Sequence, residues 1–184
     1  MSFHSAPSNL PRNSDRTNMS KGDPHLRKFV DRLSKKMERD ALIQKTTDEL
    51  REFLQVDRVV LYYFYSEWQG QVTFESLSAK KLSILGSTGP DECFNGEYAA
   101  MYLAGRVRAI PNIEAESIHE CHRNSLRYLG VKANLVVPIL TSAKLWGLLI
   151  AHHCQDVRPW LNSDIEMMQK GANAIANSPA VRDS

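Results

Sequence analysis

A thiol beside an imidazole is the first chemistry the sequence offers: Cys121 and His122 adjoin in the stretch ECHRNSLRY. On a helix, Ile118, His122, Leu126 and Leu129 fall on one stripe, and Cys121, Ser125 and Tyr128 on the next. His122 then points inward and the thiol borders the same space. Two readings follow. One is a core histidine beside a buried cysteine; the other is a thiol nucleophile with a ring that positions a ligand or moves a proton. Spacing alone leaves both open. A second thiol, Cys93, sits in GPDECF, behind the turn punctuation of Gly89-Pro90, with Asp91 two positions before it and Phe94 directly after. A loop cysteine is commonly a small hydrophobe. Asp91 cannot activate it by charge, because a carboxylate disfavours the thiolate; an acceptor for ligand N–H groups suits it better. In LLIAHHC, Cys154 reads as strand-end packing. His152 and His153 alternate faces there, with His152 pointing the same way as Leu148 and Ile150. Arg106 and Arg108 share a face of RVRAI, either toward solvent or as a clamp for carboxylates. Trp68, Trp146 and Trp160 read as core or rim.

These residues need elements to hold them. Residues 1–22, rich in Ser, Asn, Pro and Arg, read as a disordered lead-in or linker. A first helix is predicted over 24–38, with Phe29, Leu33 and Met37 recurring as a narrow stripe fit for a partner helix. A second is predicted over about 40–55, with Leu42, Ile43, Leu50, Phe53 and Leu54 on a broad face. DRVVLYYFY reads as a buried strand and QVTFES as a half-exposed one with Val72 and Phe74 inward, joined by a SEWQG hairpin loop. Residues 78–94 have no clean period. NGEYAAMYLAG reads as a short helix ended by Gly105, RVRAIPNI as a short strand, and SIHECHRNSLRYLG as a helix ending at Gly130. ANLVVPIL and LWGLLIAHHC form the clearest hairpin, around a four-residue connector. NSDIEMMQKGANAIA is the last helix, capped near Asn162 or Ser163. The order implies an α+β fold. Its antiparallel sheet has terminal helices on one face, while the irregular middle covers the other and leaves room for a small-molecule pocket. The domain is placed at residues 23–177, with 178–184 as a tail.

Composition narrows the classes. With 184 residues and 42 % hydrophobic content, the chain suits one compact domain with a real core. A net charge of +2, with Lys and Arg scattered, gives no nucleic-acid surface. No apolar run is long enough to span a bilayer, and the polar start lacks the apolar centre of a secretion signal, so a cytoplasmic protein without membrane contact is expected. Three cysteines in no metal-like cluster are expected as thiols unless chemistry captures them.

From about Leu42 to Ala176 the chain resembles the GAF photosensory domain of the cyanobacteriochromes, relatives of the phytochromes. The carriers are DRVVLYYF, EWQG, DECF, AGRVRAI, the Cys121-His122 pair, VKANLVVPIL and WGLLIAHHC. DECF fits the DXCF signature of the dual-cysteine subgroup. The resemblance implies a covalent linear tetrapyrrole, phycocyanobilin or phycoviolobilin. Cys121 would be its thioether anchor on ring A, and His122 would pack beside it. Asp91 would accept from pyrrole N–H groups, and Cys93 would add reversibly to the methine bridge between rings B and C. His152 would approach ring D, Tyr102 and Arg106 would meet the propionates, and Phe94 and Tyr128 would complete the site. It further implies a photoreceptor rather than an enzyme. Light-driven 15Z/15E isomerisation would switch it between a violet- or blue-absorbing state and a longer-wavelength, green to orange, state.

Departures from the family pattern are visible. Met101 stands where many members carry a propionate-binding arginine, and no tryptophan stands just before Asp91, unlike the red/green subgroup. No kinase, cyclase or methyl-accepting sequence follows NAIANSPAVRDS, so output is expected from a domain or partner outside this chain. The Phe29–Leu33–Met37 stripe points to helix pairing, as in a homodimer. Two other functions were weighed on the same residues. A non-covalent module for a cyclic nucleotide would use Arg106 and Arg108 on the phosphate, but no NKFDE-type signature is present. A thiol-dependent reductase would use Cys93 and Cys121, at a spacing that differs from the methionine-sulfoxide-reducing GAF family.

Overall fold

The structure, a computed structural model, describes residues 24–66, 68–89, 96–142 and 144–182. The 1–22 lead-in, the start of the domain at Asp23 and the DECF motif therefore lie outside the described residues. The elements are α1 (Pro24–Leu54), β1 (Arg58–Ser66), β2 (Gln69–Leu77), α2 (Gly96–Leu103), β3 (Arg108–Ile110), α3 (Glu120–Tyr128), β4 (Ala133–Leu140), β5 (Leu145–His153), α4 (Asn162–Ala176) and α5 (Pro179–Arg182), with one 3₁₀ turn at Lys80–Leu82. The sheet has five strands in the order β2-β1-β5-β4-β3, and every pairing is antiparallel. This is the α+β arrangement the sequence implied.

Strand alternation sorts the residues by face. Val59 and Leu61 of β1, Leu135 and Val137 of β4, and Leu149 and Ala151 of β5 turn toward α1 and α4. There they join Ile43, Leu50, Met168 and Ile175 in one buried cluster. Fully burying such side chains contributes about 1.5–3 kcal/mol each, which makes this layer the anchor of the domain. Gly171 of α4 lets the helices approach. A Cβ there would lie 2.7 Å from Leu50 Cδ1 and 3.1 Å from Thr46 Cγ2.

Four expectations shift. The two N-terminal helices are one continuous α1, because residues 38–41 hold no Gly or Pro to break them. The first part of α1 keeps its stripe, Leu26, Phe29, Val30, Leu33 and Met37, exposed. Val72 and Phe74 turn to opposite faces. Leu61 pairs with Phe74 and Tyr62 with Val72, so Thr73 is the extra residue of a β-bulge that reverses the alternation. α3 begins only at Glu120. Finally, the segment expected as a tail contributes α5, whose Val181 is fully buried in the helix-side core. For α4 the expected span holds, but Leu161 is the N-cap: its N–H donates to Asp164 Oδ2 at 3.1 Å.

Candidate functional site

The sheet face turned away from α1 and α4 floors a cavity of about 180 Å³. Its apolar floor comes from Val60, Val136, Leu148 and Ile150, the residues that alternate with the helix-side core. Opposite stands α3, with His122, Ser125 and Leu126 turned inward. α3 is held in place by Arg123, whose guanidinium donates to the carbonyls of Ile113, Glu114, Glu116 and Ile118 in the loop that leads into it. α2 supplies Tyr102. Gly105, at φ +90°, then reverses the chain so that Arg106 and Arg108 enter the same cavity. On the far side, the Tyr62 hydroxyl donates to Gly70 O at 2.8 Å and accepts from Gly89 N–H at 2.9 Å. That bond pins the chain next to the segment 90–95.

The cavity is positively charged at one end and keeps its histidines neutral. Burial lowers the His122 pKa, and the charges of Arg108 and Arg106 add to the effect. Burial pulls His152 well below the usual imidazole range, assisted by Arg58 and His122. Tyr102 is pushed up to about 12 by burial, so its hydroxyl remains a donor at every physiological pH. Arg108 is paired with Glu116 at 2.8 Å. Arg106 Nη1 lies 2.7 Å from the Met101 thioether, a weak acceptor that leaves the guanidinium able to meet an anion. An apolar slot with cations at one end suits a flat, largely apolar ligand that carries carboxylates. Among the described residues no cluster of His, Cys, Asp and Glu could hold a metal, and no helix is long and apolar enough to cross a membrane.

Of the residues singled out from the sequence, the structure brings Tyr102, Arg106, His122 and His152 to this one cavity. Cys121 is the second residue of α3, half-buried, with its N–H 3.4 Å from the His119 Nδ1 acceptor. It is disulfide-bonded rather than a free thiol. Tyr128 is the exception: at 91 % exposure it stands outside the cavity, because α3 presents Ser125 and Leu126 inward and Tyr128 lies on the solvent side of that helix. Asp91, Cys93 and Phe94 lie outside the described residues. Cys154 is a free thiol beside Asp57, consistent with packing at a strand end. Sequence reasoning missed two polar floor residues. Asn134 lines the cavity, and Arg58, only 1 % exposed, donates from Nε to His152 Nδ1 at 2.8 Å. The signal available was a charged or amide residue inside an otherwise apolar strand, in DRVVL and ANLVVPIL.

The sequence profile described as "GAF domain" matches residues 38–178. An uncharacterized protein of Picosynechococcus sp. is 47 % identical over 161 residues, which are 88 % of this chain and 99 % of that protein. Other curated relatives are much longer, and this chain spans 14 % to 22 % of them. Among solved structures, the blue-light absorbing form of the PixJ GAF domain of Thermosynechococcus elongatus superposes with a TM-score of 0.73 at 34 % identity, covering 78 % of this chain and 86 % of that one. The phycocyanobilin-bound GAF domain of a cyanobacterial phytochrome superposes with a TM-score of 0.72 at 29 % identity, covering 85 % and 92 %.

Proposed function

This chain belongs to the GAF domain family, and from that premise we propose that it is a bilin-binding photoreceptor of the cyanobacteriochrome type. The observation that carries the reading is the cavity that gathers Tyr102, Arg106, His122 and His152 on the sheet face opposite the terminal helices. Likeness to the blue-light absorbing PixJ GAF domain and to a phycocyanobilin-bound GAF domain supports it. The residues fit a bilin on their own chemistry: an apolar floor, cations for carboxylates, neutral ring nitrogens, and a buried Asn134 oxygen awaiting a donor.

A bilin supplies visible absorption and a double bond that light can isomerise. The remaining roles belong to the protein. Cys121 Sγ, at the N-terminal turn of α3 where the helix dipole favours thiolate, forms the thioether once its disulfide is reduced. His122 packs beside the pigment as a neutral ring. Arg106 and the Tyr102 hydroxyl hold the propionates, and His152 stands where ring D arrives. Cys93 forms a second, reversible thioether that interrupts conjugation, and Asp91 accepts from pyrrole N–H groups. Phycocyanobilin or phycoviolobilin is the pigment. The output domain or partner lies elsewhere, with pairing through the exposed α1 stripe as in a homodimer. The domain is assigned to residues 23–177, extended by α5, and the protein to the cytoplasm, with light signalling rather than catalysis as its task.

The test is expression with and without phycocyanobilin synthesis, followed by dark and illuminated spectra. A coloured, photochromic protein is expected. Zinc-enhanced fluorescence of the denatured band is lost in Cys121→Ala. In Cys93→Ala the short-wavelength state disappears while the pigment stays attached. Protein that remains colourless in the pigment-producing host would refute the reading.

A further inference from the structure

At one end of the cavity floor, the sheet's apolar face gives way to a row of three polar side chains on three neighbouring strands. Arg58 pairs with His152 across β1 and β5, and His152 with Asn134 across β5 and β4. The next row in is Val60–Ile150–Val136. Paired residues point to the same face with Cβ atoms about 5 Å apart, so the three are direct neighbours. All three are buried, Arg58 at 1 %, Asn134 at 2 % and His152 at 3 % exposure.

The hydrogen bonds of Arg58 determine the state of the histidine. Its Nε donates to His152 Nδ1, its Nη1 to Leu82 O and its Nη2 to Leu129 O, each at 2.8 Å. A guanidinium stays charged and has only donors, so His152 Nδ1 must be the acceptor. The single imidazole proton then sits on Nε2, a tautomer assigned from its hydrogen-bond partner. A second proton on Nδ1 would set one N–H against another. His152 and Asn134 line the cavity, whereas Arg58 does not. Asn134 Oδ1 is buried with no hydrogen-bond partner among the described residues. Leaving such an oxygen unmet costs about 1–3 kcal/mol, so this site gains by receiving an N–H.

We propose that Arg58 is a positioning residue that locks His152 as a neutral Nε2–H donor, and that this donor and the Asn134 Oδ1 acceptor together read an amide edge, C=O beside N–H, on the bound ligand. The ligand's identity rests on the bilin reading, since the terminal rings of a bilin are lactams with such an edge. A guanine base carries the same edge, and the experiment separates the two. Through Leu82 O and Leu129 O, Arg58 also ties the loop after β2 to the C-terminal end of α3. The edge reader is thereby coupled to the helix that carries Cys121 and His122.

The test uses the full chain, free of pigment, with 15N-labelled histidine, read by long-range 1H–15N correlation. His152 is expected to show a protonated Nε2 and a bare Nδ1. Arg58→Gln should give a tautomer mixture, and Arg58→Lys, which keeps a cationic donor and guards against misfolding, should restore part of the wild-type pattern. Proton on Nδ1 in the wild type, or an unchanged tautomer in a folded Arg58→Gln, overturns the positioning role. Titration with 3-ethyl-4-methyl-3-pyrrolin-2-one should shift the Nε2 resonance, with binding at least tenfold weaker in Asn134→Leu. Equal binding by Asn134→Leu, or no response to any probe, overturns the edge reader. A response to GMP and none to the pyrrolinone upholds the edge reader and overturns the bilin reading.

Discussion

The two faces of the one sheet obey the same alternation and end in opposite chemistry. The helix side is filled by aliphatic side chains from β1, β4, β5, α1 and α4, and the polar residues within it are satisfied locally. Thr46 donates to Leu42 O and Thr47 to Gln44 O, both at 2.8 Å within α1. The other face has the same aliphatic centre but no helix pressed flat on it. It collects Arg58, His152 and Asn134 at one end and Tyr102, Arg106 and Arg108 at the other. A face closed by helices needs only volume and apolarity, since dispersion and burial are non-directional. A face left open to a ligand can hold buried polar groups, because the protein satisfies most of them and the ligand completes the rest.

Truncation gives the largest contrast. Met168→Ala, on the filled side, should cost about 2–5 kcal/mol of unfolding free energy, because the cavity it leaves cannot collapse. Ile150→Ala, on the open side, should cost less than half as much, since Ile150 already borders empty space. Urea denaturation of both variants measures this, and equal costs would break the contrast.

Next comes Asp57, which closes the end of the sheet. Its carboxylate accepts from Cys154 N–H at 2.7 Å and Gln155 Nε2 at 2.9 Å. Burial pushes this carboxyl up, but those hydrogen bonds and the nearby His153 outweigh burial and leave it below the usual value. Asp57→Asn should cost about 1–3 kcal/mol at neutral pH. The folded pKa is depressed, so the charged form's contribution is complete above the unfolded value near 3.8 and is lost only as pH falls through the folded value. Denaturation midpoints of the two proteins should therefore converge in strong acid.

The histidines act in a different window. His122 and His152 are both depressed in the folded state. The unfolded chain takes up protons below about pH 6.5 that the folded chain refuses. Stability should be complete above that pH and fall below it, by up to about 1.4 kcal/mol per pH unit for each histidine. His152→Gln should flatten this slope between pH 6.5 and 5; a slope unchanged by that substitution would show that the open face does not hold its ring neutral.

The smallest effect sharpens the picture at the cavity mouth. Tyr62→Phe removes the bonds to Gly70 O and Gly89 N–H and should cost about 0.5–1.5 kcal/mol. Amide exchange should accelerate at Gly89 while the helix-side strands keep their protection.

Much of this fold was legible. The β4–β5 hairpin, α4 and the short α2 ending before Gly105 follow from periodicity and turn chemistry, which are local. So was the inward direction of His152, from its alternation with Leu148 and Ile150. Where the reading slipped, a non-local cause prevailed. The bulge at Thr73 separates Val72 from Phe74, α1 runs straight through a junction that looked like two helices, and Tyr128 faces solvent on a stripe it shares with Ser125. Stripe arithmetic gives the neighbours along a helix but not which edge of the stripe the rest of the molecule covers.

By itself the sequence determined which residues alternate, where turns interrupt, and that thiols, imidazoles and guanidinium groups sit in stretches typical of a light-sensing family. Only the tertiary structure decided that residues 58, 134 and 152 would meet in one row. Register across three strands is set by hairpin geometry and by the burial of their other face, and no spacing along the chain records it.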